Sequence, residues 1–219
     1  MAYLRLIGDV HGKFDEYIAT ASQAEYSIQL GDLGFNYEPL KVLDPSKHRV
    51  IGGNHDNYEW SDTEGFIHQS DHFLGEYGVH NVPGVSQFFY LRGGRSIDRK
   101  KRVEGRSWWP KEEISYAEGM KALEKYKEIK SEVVLSHECP SSIIDMLAGT
   151  KTWDGVPIRP SMTAELLQNF YEAHQPKLWV FGHHHLWFDQ ILETGTRFIC
   201  LPELAFLDIE LSDFHEEET

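Results

Sequence analysis

Five short β-prone runs, each stopped by a polar turn rich in Gly, Asp, Asn or His, constrain this chain more than any other feature. Tyr3 to Ile7 runs into Gly8-Asp9-Val10-His11, Ser27 to Leu30 into Gly31-Asp32, and Arg49 to Ile51 into Gly52-Gly53-Asn54-His55-Asp56. Later, Glu132 to Leu135 leads to Ser136-His137, and Leu178 to Phe181 leads to Gly182-His183-His184-His185. A helix-compatible stretch, Phe14 to Ala24, separates the first two runs, and Thr163 to Ala173 reads as a helix before the last. Strand, polar turn, helix, strand predicts βαβ units. In open α/β sheets, ligands gather outside the carboxyl ends of the strands, and these turns fall there.

Elsewhere, Gly78 to Leu91 predicts two short strands around Pro83-Gly84, and Gly93 to Trp109 a basic, glycine-containing loop. Pro110 to Lys130 predicts a helix, with proline in the first turn and Glu112 and Glu113 behind it. Trp187 to Leu192 and Arg197 to Leu211 are expected as antiparallel strands that close the structure. With no repeat or linker, the chain reads as one domain over residues 1–219. The basic loop and helix of 93–130 would be a local insertion or cap, and 212–219 an acidic tail.

The 219 residues are enough to bury a sizeable core. A formal charge of −14, from 21 basic and 35 acidic residues, argues against a nucleic-acid surface and against a duplex partner in particular. Carboxylates that hold cations would account for part of that charge. The two cysteines, Cys139 and Cys200, make no disulfide framework and no Cys-x-x-Cys motif. Gly8-Asp9 follows the start too soon for a signal-peptide apolar region, and no window reaches the apolar length of a membrane span. The expectation is a cytoplasmic protein with no membrane partner.

Side chains two apart on a strand point the same way. Asp9 and His11 have that spacing, as do His183 and His185, so each pair can aim at one ion while Val10 and His184 turn away. His184 would then lie behind the ligands or in solvent. Carboxylate and imidazole without thiolate suit Mn²⁺, Fe or Zn²⁺, and do not match a structural zinc site.

Taken in order, Asp9-x-His11, Gly31-Asp32, Gly53-Asn54-His55-Asp56, His137 and Gly182-His183-x-His185 resemble the motifs of the calcineurin-like metallophosphoesterases. The resemblance implies an α/β fold, a sandwich of two mixed β-sheets flanked by α-helices. It implies that Asp9, His11 and His185 hold a first divalent metal ion, that Asn54, His137 and His183 hold a second, and that Asp32 bridges them. His55 would be no ligand; it would stand beside the substrate phosphate. Mn²⁺ is the first choice of metal, with Fe or Zn²⁺ as alternatives. Two ions roughly 3.5–4 Å apart can hold phosphoryl oxygens and an attacking hydroxide. They also lower the pKa of the water between them. His55 is then placed as the acid for the departing alkoxide, and Asn54 can both ligate and hydrogen-bond the phosphate. The expected activity is a phosphatase acting on phosphomonoesters, in a phosphoprotein or a small molecule. Alternatives are a phosphodiesterase on a nucleotide or nucleic acid, a metal-binding module with little turnover, and a two-iron redox protein.

One motif departs from the family. Many members read Gly-Asp-x-x-Asp-Arg-Gly where this chain has Gly31-Asp32-Leu33-Gly34-Phe35-Asn36-Tyr37. Phe35 stands for the aspartate that orients the acid histidine, and Asn36 for the arginine that grips phosphate. Asn36, Glu38 and Asp56 are candidates to steady His55. The grip is expected from the run Arg92, Arg95, Arg99, Lys100, Lys101, Arg102 and Arg106, with Arg95 beside Gly93-Gly94 the first candidate for substrate binding. The plainer reading of that run is a solvated loop. His48, His68, His72, His80, His174 and His215 read as satisfied polar residues, and Asp15 and Asp71 as surface. Cys139 reads as a buried, inert thiol. Trp108-Trp109 would pack against the helix from Pro110, and the glycines beside the ligands would serve tight turns.

Overall fold

The apolar runs assemble into two sheets that share a core. The computed structural model describes residues 3–58, 67–84, 86–147 and 160–210; the expected acidic tail and His215 lie outside them. In chain order the elements are β1 (Leu4–Ile7), α1 (Phe14–Ala21), β2 (Tyr26–Gln29), β3 (His48–Val50), β4 (Tyr77–Val82), β5 (Ser86–Leu91) and α2 (Tyr116–Ile129). There follow β6 (Val133–Ser136), α3 (Ser141–Leu147), α4 (Met162–Ala173), β7 (Leu178–Phe181), β8 (Phe188–Ile191), β9 (Arg197–Cys200) and β10 (Phe206–Ile209).

Both sheets are mixed, as the resemblance implied. The smaller has the order β10-β1-β2-β3, with β1, β2 and β3 parallel and β10 antiparallel to β1. The larger has the order β4-β5-β6-β7-β9-β8, parallel from β5 through β9 and antiparallel at both edges. Parallel strands are covered on both faces and so read as unbroken apolar runs. In β7, Leu178 and Val180 join Leu4, Leu6, Ile28, Val133 and Leu135 between the sheets. Trp179 and Phe181 point the other way, into a cluster with Tyr126 of α2, Ile143 of α3 and Phe170 of α4. On the outer face of the smaller sheet, Tyr17 and Ala21 of α1 pack with Ile7 and Val50. The layers therefore run helix, sheet, sheet, helices. No helix among the described residues is long and apolar enough to cross a membrane.

Four elements differ from expectation. The helix expected from Pro110 begins only at Tyr116; Pro110–Glu112 is a single 3-10 turn. Glu112 is drawn inward to Ser96, and Glu113 takes the N–H and hydroxyl of Thr163. Ser115 then caps α2: its Oγ accepts the Glu118 N–H and donates to the Glu118 carboxylate at 2.7 Å. Helix α3 was not foreseen, because seven residues are too few to show a period. The Arg197–Leu211 run splits, β9 lying parallel to β7 and β10 crossing to the smaller sheet. Trp109 packs edge-on to Phe35 at 5.1 Å, in the cluster around α1 and not against α2. Of the 93–130 segment, α2 sits beside α4 in the outer layer; the loop before it reaches the site.

Candidate metal centre

The turns after the parallel strands meet at one end of the sandwich. Asp9 and His11 follow β1, Asp32 follows β2, and Asn54 and His55 follow β3; His137 follows β6, and His183 and His185 follow β7. Ligand atoms of Asp9, His11, Asp32 and His185 all lie within 4.8 Å of one another, and so do those of Asp32, His137 and His183. Asp32 joins the two groups with separate oxygens: Oδ2 lies 3.8 Å from His11 Nε2, and Oδ1 lies 3.1 Å from His137 Nε2. Asn54 Oδ1 is 3.0 Å from that same His137 nitrogen. Strand alternation misleads at one point. His183 and His185 do not aim at one ion; each joins a different group.

The reason is backbone conformation. His11, Asp32, His183 and His185 are four of the six described non-glycine residues with positive φ, between 49° and 68°. Left-handed side-chain-bearing residues are uncommon and cluster where function holds them. Two glycines make room for the ligands. A Cβ on Gly31 (φ +106°) would collide with the His137 imidazole, and one on Gly53 with the Asp32 carboxylate. Asp56, buried, ties the turns together by accepting N–H groups of Asp32, Leu33 and Gly53 at 2.7–3.1 Å. It is therefore not the residue that steadies His55. Nor are Asn36, which caps Glu38, or Glu38, which pairs with Lys41.

The donors fit a pair of cations. Asp9 Oδ2 is buried 2.9 Å from His185 Nε2 and 3.7 Å from His11 Nε2, and those two nitrogens point at each other 2.9 Å apart. His137 Nδ1 donates to the Leu30 carbonyl at 2.8 Å, which leaves its Nε2 lone pair to the cluster. Burial opposes charge on His137 and His11. It is outweighed by Asp32 at His137 and by the Asp9 hydrogen bond and Asp32 at His11, so their pKa values rise to about 10 and about 9. Despite burial, neighbouring imidazoles hold Asp9 and Asp32 below the usual carboxylate range. Protons thus stand where cations would stand, and bound divalent ions would replace them while the ligating rings turned neutral.

Three residues escaped the sequence reading. Glu138 is buried beneath the histidine turn; its oxygens lie 2.8 Å from His184 Nε2 and 3.4 Å from His183 Nε2, and it accepts the Cys139 N–H. His184 is accordingly a buried supporting residue, and Cys139 a buried thiol. Ser96 and Glu112 form the other support. Asn54 Nδ2 donates to Ser96 Oγ at 3.2 Å, and Ser96 Oγ donates to Glu112 at 2.5 Å. The only hints were that Glu138 adjoins His137 and that Ser96 follows the paired glycines.

A cavity of about 600 Å³ opens over the clusters, lined also by His55, Ile97, Asp98, Arg102, Pro202 and Glu203. The His55 ring is 4.7 Å from that of His11, and burial, aided by Arg102 and opposed by Asp32, lowers its pKa to about 4. Arg95 is exposed and outside this lining; Arg102 is the arginine within it. Away from the cleft, His48 bonds Ser27, His72 the Leu43 carbonyl and His68 Glu76, as satisfied polar residues, while His174 Nε2 approaches Glu132 at 3.5 Å without a hydrogen bond.

The family model for calcineurin-like phosphoesterases matches residues 4–186. Among solved structures, a dimetal phosphatase from Danio rerio superposes with a TM-score of 0.53 at 13% identity, covering 93% of this chain and 88% of that one. A phosphopantetheinyl hydrolase from Mycobacterium tuberculosis gives 0.50 at 12% identity, covering 92% and 90%. At such identities the likeness is one of fold. No curated protein matches the chain. The match over most of its length, on a sandwich that gathers carboxylates and imidazoles at its strand ends, establishes that this chain belongs to the calcineurin-like phosphoesterases, metal-dependent hydrolases of phosphoesters.

Proposed function

We propose that the chain is a phosphatase, a phosphomonoesterase acting on a phosphoprotein or a small phosphoester with two divalent ions, manganese first among them. One observation carries the reading: Asp32 stands between two groups of ligand atoms on the floor of a cleft that also holds His55. In this reading Asp9, His11 and His185 hold one ion, Asn54, His137 and His183 the other, and Asp32 both. When bound, such a pair polarises a phosphoryl oxygen and makes water acidic enough to attack near neutral pH. The rest falls to the chain. Ser96 and Glu112 keep the Asn54 amide turned so that Oδ1 faces His137. His55 gives its proton to the departing oxygen; a phosphate dianion alongside favours the protonated ring, against the burial that otherwise lowers its pKa. Two free, buried thiols suit a reducing compartment such as the cytoplasm.

The test is p-nitrophenol release from p-nitrophenyl phosphate and bis-p-nitrophenyl phosphate by metal-depleted protein, before and after Mn²⁺ is added. Release from the monoester that depends on Mn²⁺ is expected; release from the diester alone would overturn the reading. For an alkyl phosphate, whose leaving group needs a proton, His55→Ala is expected to lower kcat by about 10²–10⁴-fold, and for the p-nitrophenyl ester by far less. Equal losses would remove the acid role.

A further inference from the structure

The loop between β5 and α2 brings one guanidinium into the cleft. Arg102 is mostly buried, and two of its three nitrogens are spent: Nε donates to Asp98 Oδ1 at 2.5 Å and Nη1 to the Ser107 carbonyl at 3.0 Å. Nη2 lies against the His55 ring, 3.1 Å from Nδ1 and closer still to Nε2. Two groups that donate to anions thus stand side by side at the cleft. Asp98 neutralises the guanidinium only from its far side.

The neighbouring cations are used elsewhere. Arg92 is buried on Glu76 and over Tyr58, Arg99 stacks on Trp108, and Lys100, Lys101 and Arg106 are exposed. Among the described residues lining the cleft, Arg102 is the one lysine or arginine. Since the His55 ring in turn packs at 4.7 Å from His11, the guanidinium is one imidazole away from the first ligand group.

We propose that Arg102 grips a terminal phosphate oxygen through Nη2 and thereby sets the site for monoesters over diesters. It does the work of the arginine missing at Asn36, from a different part of the chain. The inference rests on the phosphatase reading above. A monoester offers three terminal oxygens and up to two charges, a diester two oxygens and one charge. A guanidinium with its stem fixed by Asp98 and Ser107 and its last nitrogen beside His55 in the cleft gains most from the extra oxygen and charge.

The experiment compares native, Arg102→Ala, Arg102→Lys and Lys100→Ala proteins, all loaded with Mn²⁺. It reads metal stoichiometry, calorimetric binding of inorganic phosphate, and KM for the two nitrophenyl esters. Arg102→Ala is expected to keep its metal, to bind inorganic phosphate about 10–100-fold more weakly, and to raise KM for the monoester while barely moving the diester. Arg102→Lys, which keeps charge but loses the fork, should fall between. Lys100→Ala removes an exposed charge from the same loop and should behave as native. The inference is overturned if Arg102→Ala binds phosphate as native protein does, if both esters lose equally, or if Lys100→Ala reproduces the loss. A native protein that hydrolyses neither ester yet binds phosphate through Arg102 would remove the phosphatase reading and leave this grip standing.

Discussion

His183 and His185 stand two apart yet serve different ligand groups, and Glu138 is the carboxylate on which their turn rests. Its charge is held by its surroundings: against the cost of burial, His183 and His184 lower its pKa to about 2. A ligating imidazole keeps its orientation by donating its other N–H to such a carboxylate, and loss of that partner usually weakens metal binding about 10–100-fold. Glu138→Gln, which keeps shape and removes charge, is therefore expected to weaken one of two metal sites by that factor and spare the other. Metal titration of the apo protein reads both steps. Two unchanged affinities would reduce Glu138 to a space-filling residue. The carboxylates and imidazoles that cluster at the site were legible in the sequence because each follows a strand by one to four residues, so local order carries the information. Glu138, Ser96 and Glu112 were not legible, nor was the choice of Arg102 over Arg95 within the basic run. Their roles exist only where segments far apart in sequence meet, such as Ser96 with Asn54, 42 residues away.

Among the elements, the loop between β5 and α2 connects the departures from the family pattern. Phe35, which replaces an aspartate, packs on Trp109 at the loop's far end, and Trp109 is almost wholly buried. An apolar contact thus anchors the segment that carries Ser96, Asp98, Arg102 and Glu112. Trp109→Ala is expected to cost about 3–5 kcal/mol of stability and to raise KM for p-nitrophenyl phosphate, because the loop loses its anchor at the cleft. Denaturant unfolding and steady-state kinetics check both; a stability loss with unchanged KM would mean that the loop is positioned without this contact. Strand–helix alternation predicted β1 to β3, β6 and β7, since buried parallel strands and amphipathic helices leave strong local patterns. The start of α2 was misplaced because Pro110 and two acids imitate a helix start, while tertiary partners hold Glu112 and Glu113 in extended backbone or a 3-10 turn.

For the whole molecule, stability should answer to cations and to pH separately. Asp9 and Asp32 are buried side by side, so chelation is expected to lower the thermal midpoint and Mn²⁺ to restore it; a midpoint indifferent to both would mean that no ion is held. The pH response involves other residues. His48 and His72 are buried, and burial is the main reason each titrates below its ordinary value. For His48, His72 and Lys47 add to the effect and Asp44 opposes it; for His72, Arg49 adds while the Leu43 carbonyl, Asp71 and Asp44 oppose. Below the ordinary imidazole value of about 6.5, the unfolded chain therefore binds more protons at these positions than the folded one. Stability from this source is complete above that value and falls as pH drops through it towards the depressed folded values. In chelator, the thermal midpoint of native protein should fall more between about pH 7.5 and about pH 5.5 than that of the His48→Gln/His72→Gln protein. Comparing the change within each protein cancels any constant cost of the substitutions, including the altered contact with Ser27. Because both proteins keep His11, His55, His137 and His183, titration of the empty metal centre contributes equally to both. An equal decline would remove this buried pair at β3 as the source of the acid sensitivity.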